Sequence, residues 1–436
     1  MLDPGFDRIF GKTDARIAAL EEMPVGAGLA AALVRLRSVQ MDAYAAVRVH
    51  ALWSKVIAWA TAQQMIATND SISGIRGLVE PPTDLNEPYR LAAQELASAT
   101  SIPYGTARAQ VDLVDRVGAC MPASWTALDS GDLSLTHVKA LHRASRDCPP
   151  QIAAAVEAQL VPRAVARGWT PGQLAREARK LIISIDPDGA AEREEAARQR
   201  SDVEFFPGED GMCSLNAYGP APMVRELADV IDERAAGMRR DGDDRPIGMR
   251  RFQALCDAVL GSSAQATPAS RRAHTVVMVD LSTLLGLNDQ PGELVGFGPI
   301  TAQTARRIAA DSTLRRLVTD PVTGNGIDLG RKYRPSQLLR DLVRLTKPRC
   351  SMIGCNRPAY QCEIDHRQEH NRGGDTNDQN LQPLCKLHHQ LKTMKRWKVG
   401  VNAEGQPTWT SFLGFTYVSH DQDPQVGDSD PPAEAA

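Results

Sequence analysis

The sequence lacks a long hydrophobic run and has few aromatic residues. No stretch approaches the roughly 18 uncharged apolar residues that a transmembrane helix needs, so we expect no membrane-spanning segment. The amino terminus lacks a basic start followed by an apolar run, which predicts no secretory signal and a cytoplasmic protein. With 5% aromatic, 24% charged and 42% hydrophobic residues, the composition excludes a fibrous or wholly disordered chain.

The chain has 436 residues, which predicts about two to four domains. Apolar residues recur at helical spacing through the first 200 residues, so the predicted fold class is a mainly α amino-terminal region. A small α+β middle segment and a compact carboxy-terminal module follow. The predicted boundaries are a helical domain at 1–260, a connecting region at 261–345, a module at 346–418, and an acidic, disordered tail at 419–436.

Two segments of the amino-terminal half carry more specific predictions. Glycine and two adjacent prolines in Ser71–Asp84 predict a loop. The segments Glu87–Ala99 and Tyr104–Val117 have the outline of a helix-turn-helix, with Arg108 among the polar residues of the second helix. An ordinary helical hairpin gives the same pattern, so both interpretations stay open. Farther on, Thr170-Pro171 is a typical helix start.

Charge is unevenly distributed along the chain. Lys and Arg exceed Asp and Glu by nine in residues 331–400, whereas residues 401–436 contain six acids and no Lys or Arg. A basic island in a protein whose net charge is −3 is the pattern expected of a site that meets phosphate. A solvated basic surface would have the same composition, so charge alone does not decide.

Half of the eight cysteines lie in one short window, at Cys350, Cys355, Cys362 and Cys385. A cytosolic chain is not expected to hold a disulfide framework, and such clustering points to metal. Two close thiolates followed by Cys385-x2-His388 supply four ligands for a structural, tetrahedral Zn²⁺. Cys362 is expected to be a buried thiol outside this set. The alternative is a group of unrelated thiols and one imidazole.

A second set of polar residues is interleaved with the first, at Asp365, His366, Asn380 and His389. A carboxylate and an imidazole, here Asp365 and His389, form an incomplete shell for a catalytic divalent ion, with positions left for water and phosphate oxygens. His366 would remain unligated and near neutral at pH 7, which suits a general base.

Local geometry keeps the two sets apart. Asp365 and His366, adjacent on a strand, should point to opposite sides. Pro383 is expected to start a helix that carries His388 and His389. Adjacent helical residues point about 100° apart, so the two imidazoles can face different centres.

These residues resemble the HNH nuclease motif of the ββα-metal fold. The spacing is His366-x13-Asn380-x8-His389, and the motif also contains Asp365, Gly373-Gly374, Leu381 and Cys385-x2-His388. The resemblance implies that His366 is the general base, that Asp365 and His389 bind Mg²⁺ or a transition metal, and that Asn380 braces the loop and orients the base. It also implies products with 5′-phosphate and 3′-hydroxyl ends.

The remainder of the chain is similar to a large actinobacterial family in which a helical amino-terminal domain of unknown function precedes a zinc-stapled HNH module. The likeness rests on Gly131-Asp132-Leu133-Ser134, Gly168-Trp169-Thr170 and Trp409-Thr410-Ser411. Membership in this family implies nothing firm about the role of the helical domain.

The predicted function is a metal-dependent endonuclease that hydrolyses DNA phosphodiester bonds. The alternative is a zinc-stapled nucleic-acid-binding protein that does not cleave. Lys386, Lys392, Lys395 and Arg396, on or beside the last helix, are predicted to contact DNA phosphates in either case. The expected partner is DNA rather than a membrane, and the helical domain could mediate a homodimer. His370, four residues after His366, is expected to be a surface histidine.

Overall fold

The structure is a computed structural model that describes residues 14–36, 41–79, 82, 84–260, 277–294, 297–310, 335–403 and 406–419. Among the helices of these residues, none combines the length and the hydropathy that crossing a bilayer requires. The chain divides into two compact units, Met1–Glu194 and Glu195–Ala436.

The first unit is helical, which confirms the predicted fold class of the amino-terminal region. Residues 14–21 form a helical segment. The helices that follow are α1 (Ala27–Val34), α2 (Ala43–Leu78), α3 (Glu87–Thr100), α4 (Tyr104–Cys120), α5 (Pro122–Asp129), α6 (Leu135–Ser145), α7 (Pro150–Arg167), α8 (Pro171–Ile185) and α9 (Pro187–Arg198).

Helix α2 continues through half of the segment that was predicted as a loop. Ile72 and Ile75 are 3% and 2% exposed, so the buried face of the helix persists here. A helical glycine such as Gly74 costs about 1 kcal/mol relative to alanine. Burial of the two isoleucines, at about 1.5–3 kcal/mol each, outweighs that cost. The loop prediction for Ser71–Asp84 was therefore wrong as far as the end of α2.

Helices α3 and α4 form where the sequence predicts them and pack against each other. Ser101 between them adopts a left-handed conformation, with φ of 55°. On α4, Arg108 forms an ion pair with Asp112 at 2.9 Å, and its guanidinium lies 6.0 Å from the centre of the Tyr89 ring. The helical hairpin is thus present, and a DNA-reading role for α4 stays a prediction.

Helix α8 begins as expected from its sequence. The Thr170 hydroxyl accepts a hydrogen bond from the Gln173 backbone amide at 3.3 Å, and the Gln173 side chain accepts one from the Thr170 amide at 2.8 Å. This reciprocal cap satisfies two amides that have no partner inside the helix. Helix α8 packs along α6 through a buried apolar seam that includes Val138, Leu141 and Leu174.

The second unit mixes short antiparallel sheets with helices. Its strands pair as β1–β2, β3–β4–β5, β6–β7 and β8–β9–β10. In chain order the elements are β1 (Asp202–Pro207), β2 (Cys213–Tyr218), α10 (Ala221–Arg240), α11 (Ile247–Leu260), β3 (Val277–Met278), α12 (Leu281–Leu284), β4 (Gly292–Leu294), β5 (Gly298–Ile300), α13 (Ala302–Ala309), α14 (Gln337–Thr346), β6 (Glu363–His366), β7 (Leu381–Leu384), α15 (Lys386–Thr393), β8 (Trp397–Val401), β9 (Pro407–Ser411) and β10 (Thr416–Val418).

The division between the units differs from the predicted boundary at residue 260. It falls after Glu194, so the β1–β2 hairpin and helices α10 and α11 belong to the second unit. Composition suggested the later boundary because the small, polar segment Gly261–Ser270 follows α11, and that segment lies outside the described residues. The described parts of 261–345 are α+β. The predicted disordered tail lies outside the described residues from 420 onward.

Candidate functional site

Three cysteines and one histidine of the second unit converge on one point. Cys350 and Cys355 lie in the loop after α14, Cys385 is the N-cap of α15, and His388 lies in the first turn of that helix. Their ligand atoms all lie within 4.8 Å of one another. The structure therefore brings together the four residues that the sequence predicts as a zinc site.

The chemistry and dimensions of this cluster fit a tetrahedral zinc ion. The His388 Nδ1 atom lies 3.3 Å from the sulfur of Cys350 and 3.2 Å from the sulfur of Cys385. Bonds of about 2.3 Å to a central zinc give a tetrahedron with edges of about 3.8 Å. Small shifts of the four ligand atoms would therefore accommodate the ion. Four protein ligands complete a tetrahedral shell, and His388 is 1% exposed, which favours a structural role.

Hydrogen bonds within the cluster stabilise the thiolate form of Cys385 and destabilise the thiolate form of Cys355. The Cys350 thiol, by hydrogen bonding, lowers the pKa of Cys385 and raises the pKa of Cys355. A divalent cation would remove this conflict, because it stabilises several thiolates at once. Cys362 is not one of the four converging ligands: its thiol donates to the carbonyl of Pro358 at 3.4 Å and also contacts Cys350. It is a buried thiol outside the predicted ligand set.

A two-stranded hairpin and a helix frame the second set of residues. Strands β6 and β7 pair antiparallel, with His366 opposite Leu381 and Ile364 opposite Pro383. Pro383 thus lies in β7, and α15 begins three residues later, so the prediction that Pro383 starts the helix was wrong. Proline is tolerated here because each strand of a two-stranded sheet has one unpaired edge.

Helix α14 supplies much of the core beneath this frame. Leu339, Leu342 and Val343 cluster with Leu381 of β7, and all four are at most 4% exposed. The side chain of Ile364 packs against them. Helix α14, which precedes the predicted boundary at 346, thus packs directly on the hairpin that carries these residues.

Asp365 and His389 meet on the helix side of the hairpin. The Oδ1 atom of Asp365 lies 3.6 Å from Nε2 of His389. The other ring nitrogen of His389, Nδ1, lies 2.6 Å from the Oε2 atom of Glu363. Histidine ligands commonly hydrogen-bond a carboxylate through the second nitrogen, which fixes the ring and its tautomer. The pair thus fits a divalent ion, with Glu363 as the orienting carboxylate that the sequence analysis missed.

Lys392 reaches into the same place. Its ammonium donates to Oδ2 of Asp365 and to the backbone carbonyl of His366, and its side chain is only 12% exposed. The side chain lies one turn after His389 on α15, which is why it reaches the same face. Lys392 is therefore held within the site rather than presented to solvent as expected of a phosphate contact. Its contacts show that this position accommodates positive charge.

His366 follows Asp365 at the end of β6 and contacts the loop between the two strands. Its Nε2 atom lies 2.9 Å from the hydroxyl of Thr376, which is 3% exposed. Burial lowers the pKa of His366 below its ordinary value of 6.5, although Asp365 opposes the shift. The imidazole is thus neutral at pH 7, as a general base requires. His370 is exposed, with its ring centre 6.0 Å from that of His366.

Asn380 braces the loop that connects the two strands. Its side-chain oxygen accepts from the Gln368 amide at 2.8 Å, and its Nδ2 donates to the carbonyls of Gln368 at 3.0 Å and Asp375 at 2.7 Å. A β-carbon at Gly374 would lie 2.0 Å from the Gln368 carbonyl oxygen, so only glycine fits there. These hydrogen bonds tie Asn380 to the loop, while the contact to His366 comes from Thr376, for which the sequence offers no signal.

Lys347 holds the far side of the same loop. Its ammonium donates to the carbonyl of Asp378 at 2.8 Å and to that of Leu381 at 2.7 Å, one on each side of Asn380. Burial lowers the pKa of Lys347 to about 7. A lone lysine after α14 carries no motif, so sequence analysis had no means of finding this contact.

The other predicted DNA-contacting cations lie around α15. Lys386 and Lys395 are exposed at its two ends, and Lys395 adopts a left-handed conformation with φ of 57°. Arg396 is half-buried. Among the described residues, neither Lys386 nor Lys395 forms an ion pair, so both ammonium groups face solvent.

Two family models match the chain. Residues 57–346 match the family described as Domain of unknown function (DUF222), and residues 350–395 match HNH endonuclease. The second match covers both candidate metal sites. It indicates a nuclease-related or nucleic-acid-related function.

Several proteins of Mycobacterium tuberculosis are similar to the chain. The uncharacterized protein Rv3776 of strain H37Rv is 26% identical over 76% of this chain and 70% of its own length. The uncharacterized protein Rv1945 of that strain is 24% identical over 75% of the chain and 78% of its own length. The uncharacterized protein MT2160 of strain CDC 1551 is 33% identical over 30% of the chain and 24% of its own length. No solved structure matches. Since the first family model covers more than half of its residues, the chain belongs to the DUF222 family and carries an HNH endonuclease domain after the DUF222 region.

Proposed function

We propose that the protein is a metal-dependent endonuclease that hydrolyses phosphodiester bonds of DNA. The observation that carries the proposal is the arrangement around β6. Asp365 and His389 lie 3.6 Å apart, and His366, the next residue of β6, has a pKa lowered below its ordinary value. A metal-ligand pair beside a base is what hydrolysis of a phosphodiester requires.

In this mechanism His366 takes a proton from the attacking water. The Thr376 hydroxyl is hydrogen-bonded to Nε2, so we assign Nδ1 as the nitrogen that takes the proton from water. Thr376 fixes the ring, and Asn380 and Lys347 fix the loop that carries Thr376. The lowered pKa of His366 keeps the acceptor form populated at neutral pH. Such a base typically contributes about 10²–10⁴ to the rate.

Asp365 and His389 would hold the divalent ion, and Glu363 would orient His389 through Nδ1. When bound, the ion supplies charge stabilisation for the phosphate and for the leaving 3′ oxygen. The resulting ends would be a 5′-phosphate and a 3′-hydroxyl. Lys392, now on Asp365, would have to share this carboxylate with the ion, since Oδ2 takes the ammonium and Oδ1 faces His389.

The test is cleavage of supercoiled plasmid by the zinc-loaded full chain, with Mg²⁺, Mn²⁺, Co²⁺ or Ni²⁺ added singly. We expect nicked and linear products with at least one of these ions. His366→Ala should retain zinc and DNA binding but cleave about 10²–10⁴-fold more slowly. His370→Ala is the matched control, because it removes an exposed imidazole close by and should leave the rate within about threefold of wild type.

Two outcomes would overturn the proposal. Wild-type protein that holds zinc and binds duplex, yet cleaves with none of the four ions, would support the non-cleaving nucleic-acid-binding alternative. Equal rates for wild type and His366→Ala would show that the base is misassigned. A slow His370→Ala would then identify His370 as the base.

A further inference from the structure

A groove in the helical unit gathers positive charge without any carboxylate. It lies between α6 and α8, far along the sequence from the HNH domain, and has a volume of about 490 Å³. Its floor consists of small side chains. The residues that matter here are the cations Lys139, Arg143 and Arg179 and the alanines Ala140, Ala144 and Ala175.

The three cations are exposed and available to a ligand. Lys139 and Arg143 lie one turn apart on α6, and Arg179 faces them from α8. Among the described residues, none of the three forms an ion pair, whereas neighbouring cations on the same two helices do. Lys180, for instance, lies 3.0 Å from Glu177. No Asp or Glu lines the groove, so its charge is not neutralised from within.

We infer that this groove binds the phosphate backbone of duplex DNA. Three cations without an ion pair among the described residues suit a ligand that carries several regularly spaced negative charges. The alanine side chains between them let the backbone of such a ligand approach the helices closely. This inference rests on the proposed function, because DNA is the polyanion that the HNH domain would act on. Phosphate contacts of this kind supply affinity without reading sequence.

The shape of the groove also agrees with a backbone ligand. Alanine side chains add little bulk, so they leave the space between the helices open. The amino terminus of α8 reaches the groove at Pro171 and Gly172. Because a helix amino terminus carries partial positive charge, it adds to the field of the three cations. An acidic protein segment is the other ligand chemistry that such a groove would accept, and the experiment separates the two.

The test compares two triple variants of the full chain, each in a His366→Ala background that prevents cleavage. The groove variant carries Lys139→Gln, Arg143→Gln and Arg179→Gln. The control variant carries Arg146→Gln, Arg176→Gln and Lys180→Gln. It removes the same charge from the same region, but each of its cations already has a carboxylate within 3.6 Å. Affinity for a fluorescent 30-base-pair duplex is measured by anisotropy from about 50 to 300 mM salt.

We expect the groove variant to bind roughly 100-fold more weakly at 100 mM salt. The slope of log affinity against log salt should fall by about 2.7, which corresponds to three lost phosphate contacts. The control variant should lose less than about threefold in affinity and keep the wild-type slope. Unchanged thermal melting of both variants would show that the exposed substitutions leave the fold intact.

Equal DNA affinities and equal salt slopes for the two variants would overturn the inference. An acidic protein segment would then be the ligand to test. Plasmid cleavage by the unmutated chain separates this failure from failure of the proposed function. If the unmutated chain cleaves plasmid but the groove variant and the control variant bind DNA equally, only the inference about the groove is refuted. If the groove variant alone loses DNA affinity and the unmutated chain does not cleave, the proposed nuclease function is refuted and DNA binding by the groove is supported. Neither binding nor cleavage refutes both.

Discussion

Removal of one thiolate from the zinc cluster should unfold the HNH domain, whereas removal of a neighbouring thiol should not. The perturbation is Cys385→Ala, and the matched control is Cys362→Ala. Both cysteines are buried, at 4% and 5% exposure, and both substitutions delete the same atom. They differ in that only Cys385 belongs to the cluster of four ligand atoms.

The expected magnitudes differ several-fold. A structural zinc contributes about 10–16 kcal/mol of apparent free energy at pH 7. That equals or exceeds the total stability of an ordinary domain, about 5–15 kcal/mol. The α14–β7 core that the metal would support consists of four fully buried side chains. Cys385→Ala should therefore lose zinc and native structure together. Cys362→Ala deletes one buried atom group and should cost about 1 kcal/mol.

The assay measures zinc per chain after desalting, followed by urea unfolding monitored by tryptophan fluorescence. Trp409 is a direct reporter, because its indole donates at 3.1 Å to the carbonyl of Ser351, which follows the ligand Cys350. Wild type and Cys362→Ala should hold about one zinc per chain. Cys385→Ala should hold none and show red-shifted emission before urea is added. Full zinc content and wild-type unfolding in Cys385→Ala would refute the assignment.

Further predictions concern the loop and the metal pair. The pKa of Lys347 is about 7 in the folded chain against 10.5 in the unfolded one, so the unfolded state binds more protons between these values. The free energy of unfolding should therefore rise by about 2 kcal/mol from pH 7 to pH 9, and Lys347→Met should abolish this rise in urea titrations. Gly374→Ala should destabilise the loop by about 1–3 kcal/mol and reduce plasmid cleavage more than zinc content. Cleavage by Asp365→Ala or His389→Ala should recover in part at higher divalent-ion concentration; failure to recover in both would argue against their role as ligands. Thr376→Val should slow cleavage without changing metal affinity, and an unchanged rate would show that its hydroxyl does not orient the base.

Chemistry that depends on local spacing could be read from the chain alone. One metal centre is predicted by the short interval between Cys350 and Cys355 and by the Cys385-x2-His388 pair. A short loop and a single helical turn hold the members of each pair close together. Strand alternation separates Asp365 from His366 for the same local reason. Helical periodicity likewise predicts most of the amino-terminal unit, and a threonine cap followed by proline marks the start of α8.

Features that depend on distant packing could not be read in this way. Helix α2 runs past the predicted loop because buried isoleucines outweigh the cost of glycine, and burial is a property of the fold. Pro383 lies in a strand because β6 pairs with its segment. Lys347 meets the Asn380 loop only because α14 packs on β7.

The groove between α6 and α8 shows the same limit. Lys139 and Arg179 are ordinary surface residues in the sequence, 40 positions apart, and nothing in their spacing marks them as one site. They face each other only because two amphipathic helices bury their apolar sides together and leave the cations at the rim. Local spacing thus determined which residues form the candidate metal site of this protein. Its positioning contacts and its basic groove were decided by tertiary packing, since the free energy of burial acts between segments that the order of residues does not bring together.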